Sequence, residues 1–195
     1  MNDKTDSLEG QFLIAMPSMG DPRFERTVIY LCAHSQEGAM GFVINQVMER
    51  PSMLDFMRQL SIISEDEEDG IPEELQHTPL HTGGPVEPGR GFVLHSPEYH
   101  LETTVRVDDQ VSLTATLEIL RAIATGRGPK RVMLALGYSG WASGQLEEEI
   151  AANGWLTSPA DAAILFDAAD ESKYERALRR LGIDPSFLSG EAGHA

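Results

Sequence analysis

The stretch Leu134-Ala-Leu-Gly-Tyr-Ser-Gly-Trp-Ala-Ser-Gly-Gln-Leu-Glu-Glu-Glu-Ile-Ala-Ala-Asn-Gly-Trp155 decides how this chain folds. It joins an apolar run to a glycine-rich turn and then to a segment with an acidic start that ends at Asn153-Gly154. We therefore predict a strand, a loop and a helix, in that order. The strand begins near Arg131 and is almost uninterruptedly apolar, which is typical of a strand covered on both faces.

The predicted loop resembles two kinds of catalytic or binding turn, and its residues argue against both. A serine-hydrolase elbow needs glycine two residues on either side of the serine, but Trp141 follows Ser139 at that spacing. A phosphate cradle uses the positive end of a helix, but the acids at 147–149 already occupy that end and would repel an anion. A structural corner is therefore the favoured interpretation.

Local chemistry suggests how this corner is held. Ser143 or Gly144 is predicted to cap the following helix, and Glu147 can complete a capping box. Trp141 and Trp155 are expected to pack across the helix ends, with backbone acceptors for their indole nitrogens.

Short apolar and β-branched runs upstream predict a mainly antiparallel sheet. Strands are expected at 11–16, 27–33 and 41–45, and Ser52 with Asp55 predicts a capped helix. Residues 65–74 hold seven acids and are expected to form a surface loop. Segments 81–86 and 91–95 read as strands joined through Pro88-Gly89, and a hairpin is expected around Asp108-Asp109.

The C-terminal half adds two more predicted helices, one over about 114–125 and one capped by Asp170. Periodicity leaves residues 160–166 open between strand and helix. No repeat or long linker divides the chain. We predict one domain over residues 10–185, flanked by a flexible N-terminus at 1–9 and a flexible tail at 186–195.

Charge and composition exclude several classes of protein. The 195 residues carry 31 acids and 15 bases, a formal net charge of −16, and this charge disfavours direct binding to nucleic acid or to an anionic membrane. The bases are scattered, with Arg176, Arg179 and Arg180 the nearest approach to a cluster. A lone cysteine, no signal peptide and no apolar run of membrane-spanning length together predict a cytoplasmic protein.

Histidines and the single cysteine do not make a full set of metal ligands. His77 and His81 have the spacing of a helical metal pair, but Pro79 favours an extended chain, on which they would lie about 13 Å apart. Cys32 and His34 share a strand face but supply only two ligands. We therefore predict no metal and no cofactor.

Candidate ligand-binding groups are the polar, aromatic and glycine residues near the predicted turns. A hairpin could bring His81 and His95 close together beside Gly83-Gly84. A pocket that joins this hairpin to Asn45 and to the Ser139–Trp141 loop is the site to look for. The candidates are Asn45, His81, Gly83, Gly84, His95, Ser139, Trp141 and Gln145.

An ordered series of short motifs makes the sequence resemble the AlgH/YqgE family of bacterial proteins. The motifs cover about residues 10–185, and it is their number and order that are specific. They are Gly10-Gln-Phe-Leu-Ile-Ala-Met-Pro17, Phe24-Glu-Arg-Thr-Val28, Gly41-Phe-Val-Ile-Asn45, Gly83-Gly-Pro-Val86, Gly91-Phe-Val-Leu-His95, Gly137-Tyr-Ser-Gly-Trp141, Gly144-Gln-Leu-Glu147, Asn153, Trp155 and Leu165-Phe166.

The resemblance implies an α+β fold with a mostly antiparallel, bifurcated and partly barrel-like sheet surrounded by helices. It carries over no catalytic residues, and the family's name reflects a link to regulation of alginate synthesis. Our first hypothesis is a non-enzymatic binding or regulatory module with a protein or small-molecule partner. The alternatives are a transcriptional regulator that acts indirectly and an enzyme that uses Ser139 or His95. The residue patterns leave the partner and the oligomeric state open.

Overall fold

The computed structural model describes residues 7–188, and within them the chain forms nine strands and six helices. The strands are β1 (Gln11–Ala15), β2 (Val28–Ser35), β3 (Gly38–Val43), β4 (Leu80–Thr82), β5 (Val86–His95), β6 (Val105–Arg106), β7 (Ser112–Thr114), β8 (Val132–Ala142) and β9 (Trp155–Pro159). The helices are α1 (Met53–Gln59), α2 (Glu73–Gln76), α3 (Leu117–Ala124), α4 (Gln145–Ala151), α5 (Ala162–Leu165) and α6 (Lys173–Arg180). Of the predicted flexible ends, 1–9 and 186–195, residues 1–6 and 189–195 lie outside the described residues.

Strand β8 is the centre of the sheet, whose order is β6-β7-β5-β8-β3-β2-β1-β9. One edge of β8 pairs with β5. The other edge pairs first with β4, in parallel over residues 134–136, and then with β3, antiparallel over residues 139–142. The sheet therefore branches along β8, and all its other pairings are antiparallel. The predicted fold, a bifurcated, mostly antiparallel, partly barrel-like α+β sheet, is confirmed.

Alternating side chains bury the sheet on both faces. On one face, Phe12, Ile14 and Tyr30 join a core cluster covered by α5 and α6. The opposite face has two separate covers. Helices α1 to α3 pack on β4, β5 and the first half of β8, whereas α4 packs on β1, β2 and the end of β8 through a cluster that contains Trp141 and Trp155. The branching of the sheet thus places different helices over its two parts.

The predicted glycine-rich loop is wrong, because residues 137–142 continue β8 as a strand. Gly137 has a φ of 72° and lets the strand bend without leaving the sheet. Tyr138 pairs with Val86, and Ser139 pairs with Gly41. A side chain at Gly137 would lie 2.5 Å from the carbonyl oxygen of Gly84, so two backbones meet where only glycine fits.

The connection between β4 and β5 also differs from the prediction. Pro88 and Gly89 lie inside β5, where the pairing register with β8 shifts between Val86 and Gly91, and β4 pairs with β8 instead of β5. The glycine spacing indicated a turn, but the same residues here form an irregular strand. The acidic segment holds a 3-10 helix, Glu65–Gly70, and α2.

The remaining helices agree more closely with the predictions made from the sequence. The Ser52 and Asp55 capping box is present at α1. The open segment 160–166 contains α5, whose first turn is capped when the Asp161 side chain accepts a hydrogen bond from the Ala163 amide. None of the helices within residues 7–188 combines the length and apolar character required to cross a membrane.

A matched pair of glycines can separate backbone strain from close packing. Gly137 and Gly182 have nearly equal φ values, 72° and 74°, but a side chain at Gly182 would meet no atom within 4 Å. We expect Gly182→Ala to lower the free energy of unfolding by about 1–2 kcal/mol, since strain alone acts. Gly137→Ala should cost at least about 1–3 kcal/mol more, because it also overpacks the branch point. Urea unfolding would measure both, and equal losses would contradict the proposed close approach.

Candidate functional site

Three of the candidate residues meet at the branch point, but they leave no room for a ligand there. Ser139 is fully buried, and its hydroxyl donates to the carbonyl oxygen of Gly83 at 3.2 Å. Gly83 and Gly84 pack directly on the backbone of residues 137–139, where any side chain would collide. This arrangement supports a structural role for all three.

Asn45 also completes a backbone junction. Its side-chain oxygen accepts from the Val28 amide at 2.9 Å, and its side-chain nitrogen donates to the Arg26 carbonyl at 2.9 Å. Both functional groups of the amide are therefore used to join the end of β3 to the start of β2.

Trp141 and Gln145 belong to a cluster organised by Glu149, a residue that the sequence did not single out. Both indole nitrogens, of Trp141 and Trp155, donate to Oε2 of Glu149 at 2.9 and 2.7 Å. Gln145 donates to the other carboxylate oxygen at 3.0 Å. The expectation of backbone acceptors for the indoles is therefore wrong, because one side-chain carboxylate serves both rings.

The capping of α4 also differs in detail from the prediction. Gly144 is the N-cap residue with a φ of 76°, and it offers no side-chain cap. Glu147 does not complete a capping box, because its carboxylate lies 2.6 Å from Nε2 of His34.

His95 is fully buried in a directional chain of hydrogen bonds. Its Nδ1 donates to the Ser96 carbonyl at 2.9 Å, so in the neutral ring Nε2 accepts from the Thr114 hydroxyl at 2.8 Å. Thr114 in turn bonds to Thr104 at 2.8 Å. Burial lowers the pKa of His95, which keeps the ring neutral.

His81 does not meet His95, because the two side chains lie on opposite faces of the sheet. Leu94, next to His95, packs on the α6 side, whereas Leu80, next to His81, packs on the α3 side. His81 therefore points toward α6, and there its Nε2 lies 2.9 Å from Oδ1 of Asp170. The predicted proximity of the two histidines is wrong.

Lys173 binds the same Asp170 carboxylate as His81, and its role was not predicted. Its side chain is fully buried, and Nζ donates to the carbonyls of Ile44 and Leu165 at 2.9 and 3.0 Å and to Oδ1 of Asp170 at 2.6 Å. Three acceptors require three N–H donors, so the group is an ammonium. Asp170 was expected to cap a helix, but its carboxylate instead pairs with this buried cation.

The ionisation of the pair follows from these contacts. Burial by itself would raise the pKa of Asp170, but hydrogen bonds from His81 and Lys173 outweigh it and leave the pKa below its ordinary value. Burial lowers the pKa of Lys173, and the Asp170 carboxylate opposes that shift. Asp170 is therefore ionised at neutral pH and fixes the orientation of His81.

A cavity of about 530 Å³ opens beside these residues, and we call it the His81 cavity. Apolar side chains form much of its wall, and polar and charged groups stand at intervals around it. Its lining includes Pro72, Glu74, Leu75, His77, Thr78, Pro79, His81, Ile123, Gly126, Gly128, Pro129, Lys130, Arg131, Val132, Met133, Leu165, Phe166, Asp167, Ala168 and Lys173. This volume and mixed lining are typical of small-molecule sites.

One atom at the cavity stands out chemically. His81 is only 3% exposed, and its Nδ1 has no hydrogen-bond partner among the described residues. Leaving a buried acceptor or donor unpaired costs about 1–3 kcal/mol. With Nε2 held by Asp170, Nδ1 is left without a hydrogen-bond partner among the described residues.

Another cavity, of about 510 Å³ between α1, β5 and α3, lacks such a feature. Its charged residues, Glu87 and Arg90, lie 3.5 Å apart and are both about half exposed. Residues 7–188 also contain no group of three or more histidine, cysteine, aspartate or glutamate side chains placed to hold a metal ion. The His81 cavity is therefore the candidate functional site.

Replacing Lys173 tests the structural role of the buried Lys173–Asp170 ion pair. Lys173→Met would leave the Asp170 carboxylate without its cation and two carbonyls without donors, so we expect the free energy of unfolding to fall by about 3–5 kcal/mol. Arg179→Met is the control, because its pair with Glu175 at 3.4 Å is exposed and worth about 1 kcal/mol or less. Similar losses in urea unfolding would contradict this account of Lys173.

His95 predicts a pH dependence of stability. Because its pKa is lowered in the folded state from an ordinary value of 6.5, the unfolded chain binds the proton first as the pH falls. The contribution of His95 to stability is therefore complete above pH 6.5 and declines below it. We expect His95→Asn to flatten the decrease in unfolding free energy as pH falls below 6.5. An unchanged slope in a urea series would contradict the assignment.

The sequence of this chain matches a known protein family. A model of the AlgH-like family matches residues 12–186. A UPF0301 protein of Beijerinckia indica is 57% identical over 189 residues, covering 96% of this chain and 92% of its own, and one of Methylobacterium sp. strain 4-46 is 56% identical, covering 96% and 90%.

Solved structures agree with this match. The solution structure of AlgH from Pseudomonas aeruginosa is 40% identical, with a TM-score of 0.79 and complete coverage of both chains. The crystal structure of DIP2367 from Corynebacterium diphtheriae is 18% identical with a TM-score of 0.71 over 92% of this chain and 90% of its own, and shows the fold alone. The chain belongs to the AlgH-like family.

Proposed function

We propose that this protein is a non-enzymatic binding module that holds a small molecule in the His81 cavity. The observation that carries the proposal is the buried His81 ring, whose Nε2 is fixed by Asp170 and whose Nδ1 has no partner among the described residues. A ligand with a complementary group would supply that partner. The surrounding apolar wall would contribute the remaining binding free energy.

The two residues favoured for an enzyme are both committed to structural contacts. Ser139 is fully buried with its hydroxyl on the Gly83 carbonyl, and both ring nitrogens of His95 have partners. Neither side chain presents an unpaired group to a substrate. These contacts support binding without turnover.

A regulatory role fits a binding module better than direct contact with DNA. The net charge of −16 opposes the phosphate contacts on which DNA affinity depends. Control of transcription by this protein would therefore run through a change in its ligand-bound form and a partner that recognises that form.

A titration with a broad metabolite panel tests the proposal. We expect at least one neutral, cationic or anionic compound at millimolar concentration to shift the backbone amide NMR signals of Gly126, Gly128, Val132 and Ala168, which line the cavity. Ala168→Trp should abolish those shifts by filling the mouth. Ala163→Trp is the matched control, because Ala163 is exposed on α5 and lies outside the cavity lining.

Two results would overturn the proposal. One is a panel in which no compound shifts the cavity amides, and the other is a set of shifts that survives Ala168→Trp. Chemical conversion of a bound compound during the titration would contradict the non-enzymatic part.

A further inference from the structure

An acid-free segment borders the His81 cavity in this otherwise acidic chain. Residues 121–131 contain four bases, Arg121, Arg127, Lys130 and Arg131, and no aspartate or glutamate. The chain as a whole has 31 acids and 15 bases. This local excess of positive charge is therefore the reverse of the overall balance.

The four bases also differ from most of the other described bases in their contacts. None of their side chains forms an ion pair with a described residue, whereas eight other bases do. Those eight are Arg23, Arg58, Arg90, Arg106, Lys173, Arg176, Arg179 and Arg180. The apparent cluster at Arg176, Arg179 and Arg180 is thus paired with acids. The acid-free segment instead keeps four bases without an ion pair to a described residue.

Two of these bases, Lys130 and Arg131, line the cavity. The guanidinium of Arg131 lies over the ring of Phe166, with its central carbon 5.2 Å from the ring centroid. Stacking holds the planar group in place while its in-plane N–H donors remain suited to a carboxylate. Arg131 is therefore a preorganised anion-binding group in the wall.

Two of the acids near the cavity already have partners of their own. Asp167 is paired with Arg176 at 2.8 Å. The Glu98 carboxylate accepts from the backbone amide of Lys130 at 2.6 Å and from the Ser96 hydroxyl at 2.8 Å. Among the lining residues, Glu74 is the acid without an ion pair to a described residue.

Beside His81, the ligand needs a different chemical group from the one that binds Arg131 and Lys130. The Asp170 carboxylate accepts hydrogen bonds from both the Lys173 ammonium and Nε2 of His81. The neutral ring donates Nε2–H to Asp170 and leaves Nδ1 as an acceptor. A ligand that completes His81 must therefore offer an N–H or O–H donor.

We propose that the ligand is a small organic acid with a carboxylate at Arg131 and Lys130, an apolar body, and an N–H or O–H donor against His81. This inference rests on the proposed function and names the ligand class for the same cavity. Ile123, Met133 and Leu165 supply apolar wall for the body of the molecule.

Matched acid and amide probes test the charge. The probes are indole-3-acetate, indole-2-carboxylate and 4-hydroxyphenylacetate, each compared with its primary amide by NMR titration of the cavity amides. We expect at least one acid to bind about tenfold more tightly than its amide, because a charge-assisted hydrogen bond is lost in the amide. The preference should shrink as salt is added.

Protein variants assign the effect to Arg131. Arg131→Gln should weaken binding of the acid about tenfold and leave the amide unchanged. Arg121→Gln is the control, since Arg121 belongs to the same acid-free segment and has no ion pair with a described residue, but lies outside the cavity lining. Equal losses in the two variants would show a general field effect and overturn the assigned contact.

A methylated probe tests the inner donor in the unaltered protein. 1-Methylindole-3-acetate keeps the carboxylate but lacks the ring N–H, and we expect weaker binding by about fivefold or more. His81→Phe should remove the difference between the methylated and unmethylated acids. If that variant fails to fold, the comparison in the wild-type protein still decides the point, and equal affinities there would overturn the role of His81.

The outcomes separate this inference from the proposed function. Acids that bind no better than amides, or acids that leave the cavity amides unshifted at millimolar concentration, overturn the ligand class. The binding function survives if a neutral or cationic compound of the wider panel enters the cavity and is blocked by Ala168→Trp. If nothing in either panel binds, both proposals fall.

Discussion

The close approach of two backbones at Gly84 and Gly137 is the constraint on which the architecture depends. Gly137 bends β8 while both its edges stay paired, and a side chain there would lie 2.5 Å from the Gly84 carbonyl. Because the same edge of β8 serves β4 before the bend and β3 after it, the sheet must branch. Alternation along β4 and β5 then places His81 on the α6 face of this sheet and His95 on the opposite face.

Lys173 then joins the parts that the branch separates. Its ammonium binds the carbonyl of Ile44 just beyond β3, the carbonyl of Leu165 at the end of α5 and the carboxylate of Asp170 before α6. A buried ion pair contributes little net stability compared with apolar packing, but it penalises any arrangement that breaks it. Any other placement of α6 would break these contacts of Lys173, which also lines the His81 cavity.

Local patterns in the sequence predicted the elements better than their long-range partners. Three predictions follow from residue spacing within a short segment. They are the apolar run that forms β8, the burial of that strand on both faces, and the capping box at Ser52. The continuation of β8 through residues 137–142 does not, because Gly137 bends against a glycine pair more than 50 residues earlier in the chain. Asp170 likewise resembled a helix cap, since neither the Ile44 carbonyl nor His81 is adjacent in sequence. The family resemblance supplied the branched sheet that the residue patterns left open.

Only part of the candidate site could be predicted from the sequence, for the same reason. His81 was among the candidates, but Lys173, Asp170 and Arg131 were not. The acid-free segment 121–131 was a signal visible in the sequence, because it holds four of the chain's 15 bases and no acid. Its bases were counted as scattered since they are not consecutive, although the fold gathers two of them at the cavity.

The two buried histidines differ in how many of their ring nitrogens have a hydrogen-bond partner. Both rings are almost completely buried, and a buried ring nitrogen without a partner costs about 1–3 kcal/mol. His95 has a partner for each nitrogen, as do the indoles of Trp141 and Trp155 at Glu149. His81 has one partner, held in turn by a fully coordinated lysine. The proposed site at His81 rests on this difference, since Nδ1 of His81 has no hydrogen-bond partner among the described residues.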